Sequence, residues 1–182
     1  EGSFQKKGWD AVNDLIKTSK EKDTISITLN GAKVLPATVL SEIKGKDISL
    51  NLDMENGFIW KINGTSITAE TPADIDLSVT NTEEYIPAAL YSLISTNQND
   101  FGFHLGRNGA FDFPAVLSVK ADASCAGLMA NLFWYDVENG VLQCIQTVTV
   151  GGAFERSIAY ADFTLSKGQD YFIAFGTESL NG

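Results

Sequence analysis

The sequence predicts a mainly β, sandwich-like single domain with about three short helices and an internal β-α-β-β duplication. Three observations predict it. Apolar and polar residues alternate in runs such as "TISITL" and "DISLNLDM", and each run marks a strand with one buried face. Asn-Gly pairs punctuate the runs as turns, at Asn30-Gly31, Asn56-Gly57, Asn63-Gly64, Asn108-Gly109 and Asn139-Gly140. The phrase "VLPATVLSEI" (34–43) returns as "YIPAALYSLI" (85–94), which sets Pro36 and Pro87 51 residues apart.

The elements follow in order. Residues 8–22 open on a short amphipathic helix, with Trp9, Val12 and Ile16 on one face at helical spacing. Residues 23–66 form the first repeat unit. "TISITL" (24–29) is its first strand, and "PATVLSEIKG" is a helix of about two turns that starts at Pro36 and stops at Gly45. "DISLNLDM" (47–54) and "FIWKI" (58–62) then make a hairpin about the turn "ENG".

Residues 74–121 repeat that grammar. "DIDLSVT" (74–80) answers "TISITLN", Pro87 answers Pro36, and "FGFHLGRNGAFDF" (101–113) answers the hairpin. Five features agreeing in order favour a duplication over chance likeness between alternating strands. Residues 125–176 carry C-terminal β hairpins. The strands of the last third are "VLSVKA" (116–121), which closes the second unit, then "GLMANLFWYDV" (127–137), "VLQCIQTVTV" (141–150), "RSIAYA" (156–161) and "YFIAFG" (171–176). A two-residue loop at Asn139-Gly140 sets Cys144 opposite Tyr135. Cys125 then lies ten residues further along the strand, about 33 Å away. That distance is beyond disulfide reach, so both thiols are expected to be reduced.

A chain of 182 residues fits one domain, or two small ones that share a core, and is long enough to bury that core without cross-links. Its net charge of −10 argues against a phosphate-binding surface and against an anionic membrane. No nucleic-acid or membrane partner is therefore expected. No apolar run approaches the ~18 residues of a membrane span. The opening "EGSFQKKGW" reads as the boundary of a module within a longer protein, so the lack of a signal peptide is uninformative.

Catalytic chemistry finds little support. His104 is the only histidine, and no Ser or Cys sits in a nucleophile-elbow sequence. Two cysteines and one histidine match no zinc spacing, and no cofactor is expected. Asp74 with Asp76, or Asp53 with Glu55, could supply the carboxylate pair of a glycosidase. In so acidic a chain a solvated strand face is the better reading. "LDMENG" offers oxygen ligands for calcium, but the EF-hand spacing is absent and a plain hairpin turn is preferred.

Aromatic side chains are the remaining candidates, since sugars are bound by rings stacked on pyranose faces. Trp60 shares a strand face with Phe58 and Ile62 and reads as core, as does Trp9 on its helix. Trp134 differs. Its strand is apolar on both faces, Leu132 and Trp134 on one and Phe133 and Tyr135 on the other. Tyr91 stands on the second short helix where the first copy has Leu40 or Ser41. Trp134, Tyr135 and Tyr91 are therefore the candidate ligand-binding residues. A strand buried on both sides is the competing reading, and both stay open at this point.

Three stretches also carry a family resemblance. "GWDAV", "SEIKGKDISLNLDMENGFIWKINGTSI" and "GLMANLFWYDVENGVLQ" resemble a repeat-type module of secreted and cell-surface proteins of gut and rumen clostridia, cellulosome- or adhesion-associated. The likeness spans residues 8–176. Met129 and Trp134 stand where such modules often carry Tyr, whereas Trp60 keeps the family residue. The resemblance implies an extracellular, non-catalytic carbohydrate-binding module of a larger multimodular protein, with a neutral plant or storage glucan as ligand. The alternative is a structural or protein-interaction spacer without glycan affinity.

Overall fold

A computed structural model describes residues 8–29, 31–153 and 158–181. Helix α1 (Trp9–Thr18) buries Val12 and Ile16 and turns Asp10 and Lys17 to solvent. It ends earlier than residue 22, because Ser19 is extended and its hydroxyl turns back to donate to the Leu15 carbonyl at 2.7 Å. Strands β1 (Thr24–Thr28) and β2 (Val34–Leu35) lead to helix α2 (Ala37–Ile43). Pro36 caps α2 in an extended conformation, and the Asp74 carboxylate accepts from the Ala37 N–H at 2.6 Å. Strands β3 (Ser49–Asp53) and β4 (Phe58–Asn63) form the expected hairpin.

Next come β5 (Ile75–Asp76), β6 (Val79–Asn81), helix α3 (Ala88–Tyr91), β7 (Phe101–Leu105) and β8 (Ala110–Lys120). The last third is β9 (Met129–Asp136), β10 (Val141–Thr149), β11 (Gly151–Ala153), β12 (Ile158–Lys167) and β13 (Asp170–Gly176). The protein is thus mainly β with three short α-helices among the described residues.

The strands form a six-stranded sheet in the order β1-β3-β4-β8-β12-β11 and a five-stranded sheet in the order β10-β9-β13-β7-β6. A two-stranded pair, β2 with β5, stands apart. One core cluster draws on both large sheets. It takes Leu50, Leu52, Phe58, Trp60, Leu117 and Phe163 from the first and Phe103, Leu132, Tyr171 and Ile173 from the second. Burial of these large apolar side chains is the main stabilising contribution. Trp60 is 2 % exposed, and its indole N–H donates to the Leu77 carbonyl at 2.9 Å.

Three expectations are corrected. First, the two repeat units pair differently. In the first, β1 runs parallel to β3, and β3 pairs antiparallel with β4. In the second, β6 pairs antiparallel with β7, while β7 and β8 belong to different sheets. The expected hairpin over 101–113 does not close. Its turn is held by other segments: the Leu105 N–H donates to the Gln169 carbonyl, and the Gly106 N–H donates to that of Ser78. Gly106 also packs so tightly that a Cβ there would lie 2.1 Å from the Ser78 hydroxyl. The chain therefore crosses between sheets at this point.

Second, the expected strand 74–80 is broken. The Asp76 carboxylate accepts from the Ser78 N–H at 2.9 Å and turns the backbone, leaving β5 on β2 and β6 on β7. Third, the 139–140 hairpin has a four-residue loop. Asp136 pairs with Val141, and Cys144 faces Phe133 instead of Tyr135. The Asp136 carboxylate captures Asn139, accepting from its side-chain amide at 2.7 Å, and so draws Asn139 into the loop. The strand expected at 156–161 continues to Lys167, and its first two residues lie outside the described residues, as does Asn30 of the first Asn-Gly turn.

Candidate functional site

The three aromatic candidates do not form one site. Trp134 and Tyr135 point to opposite faces of β9, as strand alternation requires. Trp134 packs at the margin of the main core. Its N–H donates to the Gly168 carbonyl at 3.1 Å, and the Lys167 ammonium sits 3.5 Å from the ring centre. One ring face is thus covered by a cation. Tyr135 and Tyr91 share a smaller cluster on the outer face of the five-stranded sheet, around Ile86, Phe133, Phe172 and Ala174. Tyr91 stacks on Phe172 with ring centres 5.2 Å apart. The segment around α3 therefore covers this apolar face, which is why β9 is apolar on both sides.

The carboxylate candidates are likewise engaged in backbone structure. Asp74 caps α2 and Asp76 makes its turn. Asp53 accepts from the Glu55 N–H at 2.8 Å within the β3–β4 turn, where Glu55 adopts a φ of 63°. Asn56 in that turn donates to the Val79 carbonyl at 2.8 Å. No group of three or more His, Cys, Asp or Glu among the described residues could hold a metal ion.

His104 Nδ1 lies 2.8 Å from Asp170 Oδ1, with Gln169 on its other nitrogen and Tyr85 stacked on the ring. Among the described residues neither ring nitrogen is hydrogen-bonded to a hydroxyl or thiol. Cys125 and Cys144 are free, and they pack into the main core and the smaller cluster respectively. Burial pushes both thiols up, away from the thiolate form a nucleophile needs.

Two sites of similar volume have room for a ligand among the described residues: one of about 700 Å³ beside α3, lined by Thr82, Glu83, Glu84, Pro87 and Tyr91, and a groove on the outer face of the six-stranded sheet, which is the richer in unpaired polar groups. Strand alternation in the six-stranded sheet sends Leu50, Leu52, Phe58, Trp60, Leu117, Ala159, Ala161 and Phe163 into the core. It sends Asn51, Asp53, Ile59, Lys61, Ser118, Tyr160 and Asp162 outward, and these line a groove of about 750 Å³. Ser26 and Thr28 of β1 bound one side, and Val148, Thr149, Gly151 and Gly152, where the chain passes from β10 to β11, bound the other. Lys61 Nζ lies 3.2 Å from Asp162 Oδ2 on the groove floor.

The side chains of Ser26, Thr28, Asn51 and Tyr160 make no hydrogen bond among the described residues. Such groups are free to donate to and accept from a ligand. The combination of one ring, an amide, hydroxyls and a charge pair suits a polyhydroxylated molecule. Sequence reasoning missed this groove. The available signal was Tyr160, which interrupts the outward positions of a strand whose inward positions run Ala159, Ala161, Phe163, Leu165.

No family model, curated protein or solved structure matches the chain.

Proposed function

We propose that this chain is a non-catalytic carbohydrate-binding module that takes a neutral glycan in the groove of the six-stranded sheet. The observation that carries the reading is a groove of about 750 Å³ lined by unspent hydrogen-bonding side chains and Tyr160. Sugars require both, a ring for an apolar pyranose face and polar groups for the hydroxyls. The two large sheets over one shared core then act as a sandwich-like single domain, whose outer face is the binding surface. In line with the sequence resemblance, the module belongs to an extracellular or cell-surface protein of several modules, and a plant or storage glucan is the leading ligand.

A second reading is favoured by a separate observation. Trp134, Tyr135 and Tyr91 are all half-buried in packing, and Leu93 and Leu180 are 81 % and 50 % exposed beside the α3 segment. Packed rings beside an apolar patch fit a structural or protein-interaction spacer.

Affinity electrophoresis against soluble glucans, xylans and mannans, with pull-down on cellulose and starch granules, separates the two. Retention that is lost in Tyr160→Ala, with an unchanged melting temperature, supports the glycan reading. A parent protein that binds nothing on the panel gives the spacer reading the lead.

A further inference from the structure

On the glycan reading, the groove has an internal order that narrows its ligand. Strand register lays the outward side chains in two rows across the sheet. Thr28, Asp53, Ile59, Ser118 and Asp162 are successive cross-strand partners in one row. Ser26, Asn51 and Lys61 form the other within the groove, and its continuation through Val116 and Thr164 lies outside the lining. The first row crosses five strands within the groove, a span of about 19 Å at strand spacings near 4.8 Å. A pyranose in an extended chain advances by roughly one strand spacing, so this row accommodates about four sugars.

The Lys61–Asp162 pair joins the two rows. Its ammonium and carboxylate are 3.2 Å apart, and both remain partly exposed, with side-chain accessibilities of 38 % and 50 %. They are separated by about a hydrogen-bond length, as two adjacent sugar hydroxyls are. The ammonium only donates and the carboxylate only accepts, so together they complete the donor–acceptor pattern of a diol. Hydrogen bonds to charged groups are the stronger kind. Tyr160 stands two residues from Asp162 on the same strand and the same face, placing its ring beside this point. Among the groove-lining residues Asp53 and Asp162 oppose a single cation, Lys61. A chain of uronic acids would bring further carboxylates against that surplus.

We infer that the groove selects a neutral glycan chain lying across the strands, about four sugars long, with the adjacent hydroxyls of one sugar held by Lys61 and Asp162 and a ring covered by Tyr160.

Isothermal titration with gluco-, xylo- and manno-oligosaccharides of increasing length tests this on the parent, Lys61→Met and Asp162→Asn, with polygalacturonate as the anionic control. Affinity is expected to rise with length and level off at about four sugars. Each variant is expected to lose about tenfold or more while melting like the parent, since both side chains are partly exposed. Polygalacturonate is expected not to bind. Length-independent affinity, unchanged binding in both variants, or tight binding of polygalacturonate would overturn this inference while the glycan reading stands. A parent that binds no neutral oligosaccharide would remove both.

Discussion

The carboxamide of Gln146 in β10 holds both peptide groups of Thr164 in β12, accepting from its N–H and donating to its carbonyl at 3.0 Å each. Gln146 thereby acts as a short substitute strand. On its far side β12 is paired with β11 only through Tyr160, so the backbone beyond that residue would otherwise present an open edge. A register shift between Cys144 and Gln146 brings the side chain to this position. Gln146→Ala removes both bonds and is expected to cost about 2 kcal/mol in urea unfolding. A loss under about 0.5 kcal/mol would mean that water replaces the amide without penalty.

Trp60→Ala is expected to destabilise the fold by about 3–5 kcal/mol, as for other large buried aromatics. The indole fills the core between the sheets, edge-on to Phe111 at 6.1 Å, and its N–H leaves the Leu77 carbonyl unpaired when removed. Denaturant midpoints of parent and variant measure the effect. A change below about 1 kcal/mol would contradict the buried position.

Trp134 is expected to act on stability rather than on binding. Trp134→Ala loses the Gly168 hydrogen bond, the Lys167 contact and part of the core margin, for a cost of about 2 kcal/mol. Glycan affinity of the soluble variant should match that of the parent, because the ring does not line the groove. Weaker binding with an unaltered melting temperature would return Trp134 to the ligand site.

Asp136 sets an acid dependence. The Asn139 side chain, together with backbone N–H groups of the turn, holds its carboxyl below the usual carboxylate range. A depressed folded value means that the contribution is fully present above the unfolded value, about 3.9, and is lost as pH falls through the folded value. Asp136→Asn should therefore be less stable than the parent at neutral pH, with the gap closing in strong acid. Urea titrations at both pH values measure it. A gap that does not change with pH would show that the charge is not what holds the turn.

The strands of the first unit were legible because Leu50 and Leu52 alternate with polar residues, and Phe58, Trp60 and Ile62 keep the same two-residue period on the return strand. The echo of that pattern in the second unit misled, because any two half-buried strands share it. What separates β7 from β8 is a set of remote partners, Gln169 for Leu105 and Ser78 for Gly106, and local spacing carries no trace of them. The groove was hidden for the same reason. Asn51, Lys61 and Asp162 can each be read as outward residues, but they become neighbours only once β8 and β12 take their places beside β4. Trp134 drew attention as the largest ring on a doubly apolar strand. The actual explanation of that strand, a cover made by residues near α3, lies some forty positions earlier in the sequence.

The order of the strands also sets a timetable. β12 fits between β8 and β11, and β13 fits between β9 and β7, so each large sheet receives one of the two last strands as an interior member. Neither layer can close until those residues arrive. Loops of many residues must be shut before their pairings are rewarded, which places such topologies among the slow folders, in milliseconds to seconds. During synthesis the earlier strands wait with open edges, and in that interval a nascent chain is most exposed to association with its neighbours.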